Sequence, residues 1–517
     1  MKTDRFRSWW WAFAIAALYF AVTMTGALHH ELWLDEAHHW LLGKYSASPA
    51  DLLRNARYEG HPPLWNLLLY FTGHIMENPA AMQALNVAIA AAAVLLFVRY
   101  APFRFFLRAM IPFSYFILYE YGVISRNYAI VFLLLVIIAV LYPKRHSHFL
   151  LFCFVLFLLA SAHLFAAVIA AGVFLVVVWE RLSRQAEVPG KKFWPGIFLF
   201  AGLLVLLILL VIPPADHFLH GYDSDAFFSA KRIGKTVPVV WKAFFPFPDF
   251  TQTYLWNSNL LIGFSKKAAI IPAALSWLVP FVLIRKRVPL FIFWFSGGLI
   301  LAFIFKSPLI VASRHCGFIF LLLLFSIWID AFYPEKKNVL NARGQKLFLL
   351  MSKLAGPLFV VMIVVQLLAS VFLFAEDYRR PFSQGKSVAA YLLHSAWKKE
   401  QIVISPHFTG PAICAYYGQP LFYAENNAEE SFCRWNTNPF MLSSDSVFKC
   451  CRGLMDKTGK DSLLLVLDQP LRSIKGYRPP EYPFGLRIDP VKYFTGSLVR
   501  AEDYYLYKLK KFVPVIP

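Results

Sequence analysis

The sequence predicts a polytopic α-helical membrane protein with about eleven transmembrane helices and a C-terminal extracytoplasmic α/β domain. Of its 517 residues, 58% are hydrophobic and only 16% are charged, whereas soluble domains are roughly a quarter charged. The apolar residues stand in long blocks rather than in periodic stripes, which indicates helices that face lipid. After Phe382 the composition becomes that of an ordinary soluble domain. We therefore expect a transmembrane domain at 1–375 and an outer α/β domain at 376–517.

The transmembrane helices are predicted from the apolar blocks. The first block, Trp9 to Leu28, follows a basic start and lacks an A-x-A cleavage site, so we expect a retained helix rather than a signal peptide. The run at 149–179 has basic residues on both flanks, which predicts a hairpin that turns near Ser161 to His163. The short segment from Pro62 to Met76 predicts a juxtamembrane or re-entrant helix. The remaining predicted crossings are 79–98, 105–122, 127–142, 193–212, 268–284, 288–305, 316–333 and 347–375.

The distribution of charge predicts the orientation of the chain. With these crossings, the cytoplasmic segments hold 19 Lys and Arg residues against four acids, as the positive-inside rule requires. The amino terminus is then cytoplasmic, and the C-terminal domain lies outside. The outer loop at 213–267 departs from the rule by being basic, because long loops escape it or because a basic surface faces anionic lipid. The net charge of +21 is therefore explained by the basic loops between membrane helices. It does not indicate nucleic-acid binding, which would need a basic stripe interleaved with aromatic residues.

The outer domain shows alternating helix and strand patterns. We expect helices at 385–394 and 444–455, and strands at 401–405, 462–468 and 503–509. The six cysteines are too few for a disulfide scaffold, and the pairing of the four in this domain stays open. Those four are Cys414, Cys433, Cys450 and Cys451.

The first outer loop, 29–78, holds the densest polar cluster of the chain. Asp35 and Glu36 stand side by side just beyond the first helix and are flanked by Trp33 and Trp40. Low polarity around an acid raises its pKa and suits it to take a proton, so the pair is a candidate catalytic site. The alternative is structural, since Asp35 could cap the next helix and Glu36 could lie in its first turn.

Other outer turns carry cations and histidines on the same predicted side. Glu59 and His61 lie later in the first loop, and Arg126 and Tyr128 lie in the turn between two crossings. A further outer turn carries Lys306, Arg314 and His315. Converging cations suit a lipid-linked phosphate, for which arginine offers a bidentate fork. Taken singly, each cation is also typical of an interfacial side chain that reaches toward water.

The paired histidines raise the question of a metal. Asp35, His38 and His39 share a helical face, which metal ligands can use. Since no HExxH motif or cysteine pair accompanies them, we expect no required cofactor, with a divalent metal as the alternative.

Three segments follow one another along the chain: Leu34-Asp35-Glu36, then His61-Pro62-Pro63-Leu64-Trp65, then Ser125-Arg126-Asn127-Tyr128-Ala129. Their order resembles the GT-C-fold glycosyltransferase superfamily, which includes the lipid A aminoarabinose transferases and the protein O-mannosyltransferases. The resemblance covers about the first 180 residues well, the remaining helices by layout and the C-terminal domain loosely.

The resemblance implies inverting transfer of a sugar from a polyprenyl-phosphate donor to an acceptor hydroxyl of a lipid, glycan or protein. Asp35 would be the general base, Glu36 a second acid that positions it, and Arg126 and Arg314 the residues that hold the carrier phosphate. Such donors indicate a bacterial inner membrane, with the C-terminal domain in the periplasm. Lys306 and His315 are further candidates for phosphate binding. The candidates for substrate binding are Trp40, Glu59, His61, Tyr128 and His163.

Two other function classes remain open from the sequence. A transporter or lipid flippase would need charged residues at mid-bilayer and paired helical repeats, and the helix centres here are nearly free of charge. A non-catalytic sensor or scaffold would tolerate changes at Asp35 and Arg314, whereas an enzyme would not.

Overall fold

The computed structural model describes residues 2–183, 190–217, 230–306, 312–334, 342–436, 441–471 and 483–512. The chain begins with long apolar helices and ends with a mixed sheet, so the predicted fold class, a helical membrane domain followed by an α/β domain, is confirmed. The helices of the first half are α1 (Lys2–His29), α2 (Leu34–Tyr45), α3 (Pro49–Ala56), α4 (Leu64–Ile75), α5 (Ala80–Tyr100), α6 (Phe105–Met110), a π-helix (Tyr115–Val123), α7 (Tyr128–Leu141), α8 (Phe149–Ala162), α9 (Leu164–Leu182) and α10 (Gly190–Val211).

The second half continues with shorter helices before two long ones. These are α11 (Ala230–Phe244), α12 (Leu260–Phe264), α13 (Ile270–Ser276), α14 (Val279–Leu283), α15 (Arg287–Lys306), α16 (Ser313–Asp330) and α17 (Ala342–Arg379). The outer domain contributes α18 (Gly385–His394), α19 (Gly410–Tyr417), α20 (Ser444–Thr458), β1 (Ile402–Ser405), β2 (Leu421–Tyr423), β3 (Ala428–Glu430), β4 (Ser462–Leu467), β5 (Leu486–Phe494) and β6 (Tyr504–Lys511).

Seven helices among the described residues are long and apolar enough to cross a membrane. Three shorter apolar helical stretches, at 128–144, 149–162 and 270–283, accompany them. The seven are Trp9–His29, Ala80–Tyr100, Leu164–Leu182, Lys192–Val211, Arg287–Phe305, Ser313–Asp330 and Lys353–Arg379. Because length and composition do not decide whether the shorter stretches span the bilayer, the total of about eleven crossings stays a prediction.

Two predicted features of the helical layout are confirmed and two blocks are corrected. The apolar run at 149–179 is a hairpin of α8 and α9 that turns at His163, and α4 is a short helix of 12 residues. The block at 105–122 is not one α-helix, since it breaks into α6, a short 3-10 turn containing Pro112 and the π-helix. The block at 268–284 likewise divides into α13 and α14 just before Pro280. Proline interrupts both blocks because its nitrogen cannot donate the helical hydrogen bond.

The outer domain is built on a six-stranded sheet in the order β3-β2-β1-β4-β6-β5. Strands β2, β1 and β4 run parallel, whereas β3, β6 and β5 pair antiparallel with their neighbours. The two expected helices and three expected strands are present within a few residues of their predicted bounds. The patterns missed β2 and β3, which have only three residues each, and β5, which carries a bulge after Pro490. All six cysteines are free thiols, five of them buried.

The outer domain packs directly against the first outer loop. Helix α19 lies against α2, and the Tyr416 hydroxyl accepts a hydrogen bond from the Leu32 amide at 2.8 Å. Glu31 accepts from the Phe382 amide at 2.9 Å. Buried residues of α17, α18 and β1 belong to the same apolar core as the membrane helices. The loop that carries the acidic pair is therefore held between the helical domain and the sheet domain.

Candidate active site

Asp35 and Glu36 both lie in the first turn of α2, so the structural alternative is confirmed for Glu36 and is wrong for Asp35, which does not cap the helix. Trp33 is the N-cap residue, and Glu36 forms a capping box because its carboxylate accepts a hydrogen bond from the Trp33 amide. An acid in this turn is stabilised by the positive end of the helix dipole. Glu36 is fully buried, whereas the side chain of Asp35 keeps 23% of its surface exposed. The two adjacent acids therefore face different surroundings.

The Asp35 carboxylate is shared by two guanidinium groups. Arg126 and Arg314 both pair with its Oδ2 atom, the second at 3.2 Å. Burial favours a higher pKa for Asp35, but the positive charges of Arg126 and Arg314 outweigh it, so the pKa lies below its ordinary value. The expectation of a raised pKa is therefore wrong for this acid, because tertiary contacts supply two cations that the local sequence does not show. Asp35 is ionised and occupies the position that an anion would take.

Arg126 is held in place by the turn that carries it. The turn joins the π-helix to α7, and the Ser125 amide donates to the buried Glu36 carboxylate. On the other side, the Asn127 side chain donates to the Ala162 carbonyl at 2.7 Å. The Arg126 side chain is only 4% exposed, and its Nε atom has no hydrogen-bond partner among the described residues. A buried guanidinium with donor capacity left over is suited to receive an anionic ligand.

Arg314 approaches the same carboxylate from the start of α16. Its guanidinium lies 5.1 Å from the ring centroid of Trp33 and 5.4 Å from that of Trp256, which gives two cation–π contacts. The Tyr121 hydroxyl fixes the backbone by donating to the Arg314 carbonyl at 2.6 Å. The Trp256 indole donates in turn to Glu120 at 3.2 Å. The tryptophans thus orient Arg314 toward Asp35 and shield the ion pair from water.

Glu36 belongs to a buried network behind the site. His30 lies 2.9 Å from Glu36 and 2.7 Å from Asp377, and the Tyr119 hydroxyl donates to Asp377 at 3.1 Å. Burial lowers the pKa of His30, but the charges of Asp377 and Glu36 raise it well above its ordinary value. A protonated His30 therefore joins the end of α17 to the first turn of α2. Glu36 thereby links His30 to the Ser125 amide of the turn that carries Arg126.

The remaining candidates of the first loop lie around this centre. Glu59 pairs with His38 at 2.7 Å, and His39 contacts the Asn66 side-chain oxygen at 2.7 Å. Trp40 is 1% exposed and packs in the core, so it supports α2 from beneath. Burial and the Arg126 charge lower the pKa of His61 to about 4, so this imidazole is neutral at ordinary pH.

His163 lies at the centre of a cluster with His61, His315 and Tyr128, and Tyr128 in turn contacts Arg126. The ring centroids of His61 and His163 are 5.1 Å apart, those of His163 and His315 are 6.2 Å apart, and Tyr128 lies 5.7 Å from His163. Within the described chain, His61 Nδ1, His163 Nε2 and the Tyr128 hydroxyl are buried without hydrogen-bond partners. Lys306 ends α15, and its side chain lies outside the described residues. The cluster around His163 therefore offers several polar atoms without hydrogen-bond partners among the described residues, close to Arg126.

The described part of the chain contains no cluster of metal ligands. No group of three or more His, Cys, Asp or Glu residues there is placed to hold a metal ion. Asp35, His38 and His39 share a helical face, yet each one is already engaged with a different partner. That no cofactor is required, with a divalent metal as the alternative, stays a prediction.

The sequence did not single out the support that comes from the outer domain. Glu502 accepts a hydrogen bond from the Leu34 amide at 2.8 Å, so it caps the first turn of the helix that carries Asp35. Its other oxygen accepts from Ser383 at 2.6 Å and from Tyr504 at 2.8 Å. Burial raises the pKa of Glu502 to about 7. Because Glu502 lies 468 residues after Leu34 in the chain, no local sequence pattern reveals this contact.

Comparison with known proteins gives matches among solved structures. No family model matches the sequence, and no curated protein matches it. The chain is similar to the crystal structure of ArnT from Cupriavidus metallidurans in the apo state, with 12% identity, a TM-score of 0.45 and coverage of 96% of this chain and 97% of that one. It is also similar to the same protein bound to undecaprenyl phosphate, with 10% identity, a TM-score of 0.42 and coverage of 96% and 98%.

Proposed function

We propose that this chain is an integral membrane glycosyltransferase that moves a sugar from a polyprenyl-phosphate donor to an acceptor hydroxyl on the extracytoplasmic face. The observation that carries the proposal is the partly exposed Asp35 carboxylate held between Arg126 and Arg314. This arrangement combines a base with two cations, and transfer from a phosphate leaving group needs both. It needs no general acid, because a phosphate leaves readily as an anion.

The donor phosphate would take the place of the Asp35 carboxylate against the two guanidinium groups. Arginine forks bind phosphate oxygens in pairs, and Arg126 Nε and Arg314 Nε have no partner among the described residues. Once the phosphate partly neutralises the arginines, their effect on Asp35 weakens and its pKa rises toward the ordinary value. The carboxylate is then free of its ion pairs and more basic. Donor binding would thereby activate the base.

The transfer step follows from this arrangement. The acceptor oxygen attacks the anomeric carbon from the face opposite to the phosphate, which inverts the configuration. The bond between the anomeric carbon and the phosphate oxygen breaks, and its electron pair leaves with the carrier phosphate. The proton of the acceptor hydroxyl passes to Asp35, and Arg126 and Arg314 hold the charge that develops on the phosphate. Loss of the Asp35 proton to solvent restores the starting state.

The surrounding candidates receive roles in the same proposal. The unused atoms of His61, His163 and Tyr128 would hydrogen-bond the sugar or the acceptor. Glu59 would hold His38 beside them, and Trp40 would stabilise α2. His315 and Lys306 would extend the phosphate site, and no metal would be required. The membrane would be a bacterial inner membrane, with the C-terminal domain on its periplasmic side.

The test is transfer of radiolabelled sugar from a panel of synthetic polyprenyl-phosphate sugars into membranes, with wild type compared to Asp35→Asn. We expect transfer by the wild type and a loss of about 10²–10⁴-fold in the variant, which is the contribution of a placed general base. Normal transfer by a folded Asp35→Asn protein that binds donor would refute the proposal. So would movement of labelled lipid between leaflets without any sugar transfer, which would indicate a flippase.

A further inference from the structure

The outer domain contains a second candidate site, in the crevice between β1 and β4. The chain places β2 on one side of β1 and later returns, through α20, to place β4 on the other side. Both neighbours run parallel to β1, so the direction of the connections reverses at this point of the sheet. In open α/β sheets, ligands bind outside the carboxyl ends of the strands where such a reversal occurs.

An open cavity lies at this place. It is a small crevice that is partly open to solvent, so a ligand would reach its polar atoms from the open side. Ser405 and Pro406 contribute from the end of β1, Asp468 from the end of β4, and Ser444 from the start of α20. The walls are apolar and include Met441, Leu442, Val447, Phe448, Leu465 and Leu471.

Two polar atoms of the cavity have no hydrogen-bond partner among the described residues. Ser444 is 7% exposed, and its hydroxyl has no hydrogen-bond partner among the described residues. In the same described part of the chain, Asp468 Oδ1 is buried without a partner. Ser405 donates to Glu425 at 2.6 Å, which places a second carboxyl directly behind the cavity. Buried polar atoms are nearly always paired, so unpaired ones that line a cavity point to a ligand.

The chemistry of the crevice selects the class of ligand. Burial raises the pKa of Glu425 to about 7 and that of Asp468 to about 6. The carboxyl groups disfavour a bound anion, even though the start of α20 alone would attract one. Hydroxyl groups of a ligand can donate to the Asp468 carboxylate and accept from the Ser444 hydroxyl. Met441, which lines the cavity and is 53% exposed, offers an apolar surface to the C–H face of a sugar ring.

We propose that this crevice binds one sugar unit of the acceptor glycan. That the sugar belongs to the acceptor rests on the proposed transferase function, whereas carbohydrate binding as such does not. The outer domain would then do more than hold the first loop in place. It would select acceptors by binding a sugar unit that lies at a distance, along the glycan, from the hydroxyl that reacts.

The first experiment measures carbohydrate binding to the full chain in detergent by saturation-transfer NMR. The probes are the methyl glycosides of glucose, galactose, mannose and N-acetylglucosamine. We expect at least one of them to bind, and Ser444→Ala and Asp468→Ala each to weaken that binding about tenfold, as for the loss of one good hydrogen bond. Both variants should keep the wild-type melting temperature, because each removes an unpaired buried polar atom. Asp456→Asn, an exposed carboxylate toward the other end of α20, is the matched control.

The outcomes separate this inference from the proposed function. Absence of binding by every glycoside, or unchanged binding in both alanine variants, overturns the crevice while sugar transfer by the wild type continues. Stabilisation by Ca²⁺ without any response to the glycosides also overturns it, since the carboxyls would then form a cation site. With a working transfer assay, the same variants should raise the acceptor KM and leave kcat and the donor KM unchanged. An unchanged acceptor KM, with glycoside binding lost, refutes the assignment to the acceptor.

Discussion

Replacing Asp35 with asparagine should strengthen donor binding while it abolishes transfer. In the structure, the Asp35 carboxylate pairs with both arginines, so under the proposed function the donor phosphate would have to displace it. Asparagine keeps the size and one acceptor oxygen of the side chain but removes the negative charge. The variant therefore removes two actions of Asp35, its competition with the donor phosphate for the arginines and its action as a base. Loss of the competition strengthens donor binding, whereas loss of the base slows transfer.

The magnitude follows from the contacts. Two unit charges about 4 Å apart attract by roughly 4 kcal/mol at an effective dielectric constant near 20, but desolvation offsets most of this. Hydrogen bonds to charged groups contribute about 1.5–3 kcal/mol net. Since asparagine retains part of the contact, we expect about half of that range to be released. This corresponds to donor binding about tenfold tighter than in the wild type.

The assay pairs donor affinity with single-turnover transfer in nanodiscs. A fluorescent polyprenyl-phosphate sugar gives the Kd, and rapid quench gives the rate of sugar transfer. Asp35→Asn should lower the Kd and reduce the rate by about 10²–10⁴. Asp51→Asn, which alters a carboxylate in the same loop that pairs only weakly with Arg54, should change neither. Weaker donor binding in Asp35→Asn would refute the idea that this carboxylate occupies the phosphate position.

Three further predictions concern the residues around Asp35. Glu36→Gln leaves the His30 cation with one partner fewer, so it should cost about 3–5 kcal/mol and lower the melting temperature in detergent; an unchanged melting temperature would contradict the network. Arg314→Lys loses the flat guanidinium between the two tryptophans, so the donor KM should rise about tenfold with a smaller change in kcat. A tenfold fall in kcat with an unchanged donor KM would argue against a role in donor binding. Because the pKa of Glu502 is raised from 4.5 to about 7, its contribution to stability is full below its unfolded pKa and is lost as the pH rises through 7. The melting temperature of the wild type should therefore fall more between about pH 5 and pH 8 than that of Glu502→Gln, and parallel pH profiles would exclude Glu502 as the cause.

The sequence by itself determined the fold class, because hydrophobic composition, block length and loop charge are properties that no tertiary contact can reverse. It also singled out Asp35, Arg126 and Arg314, since charged residues next to apolar blocks are rare and conspicuous. The hairpin at 149–182 followed from basic residues on both of its flanks. Where proline interrupts a block, as at Pro112 and Pro280, hydrophobicity alone predicted one helix and the structure has two or more shorter elements.

Only the tertiary structure decided how the acids differ. Asp35 and Glu36 are neighbours in the chain, yet one meets two arginines at a partly open surface and the other is sealed against His30 and Ser125. The two arginines come from two distant segments, so no local pattern reveals that the pKa of Asp35 is lowered rather than raised. The same holds for Glu502, which caps α2 from the last part of the chain, and for the crevice between β1 and β4. Charge, burial and hydrogen bonding act through space, and the order of residues along the chain leaves their distances undetermined until the helices and the sheet have packed.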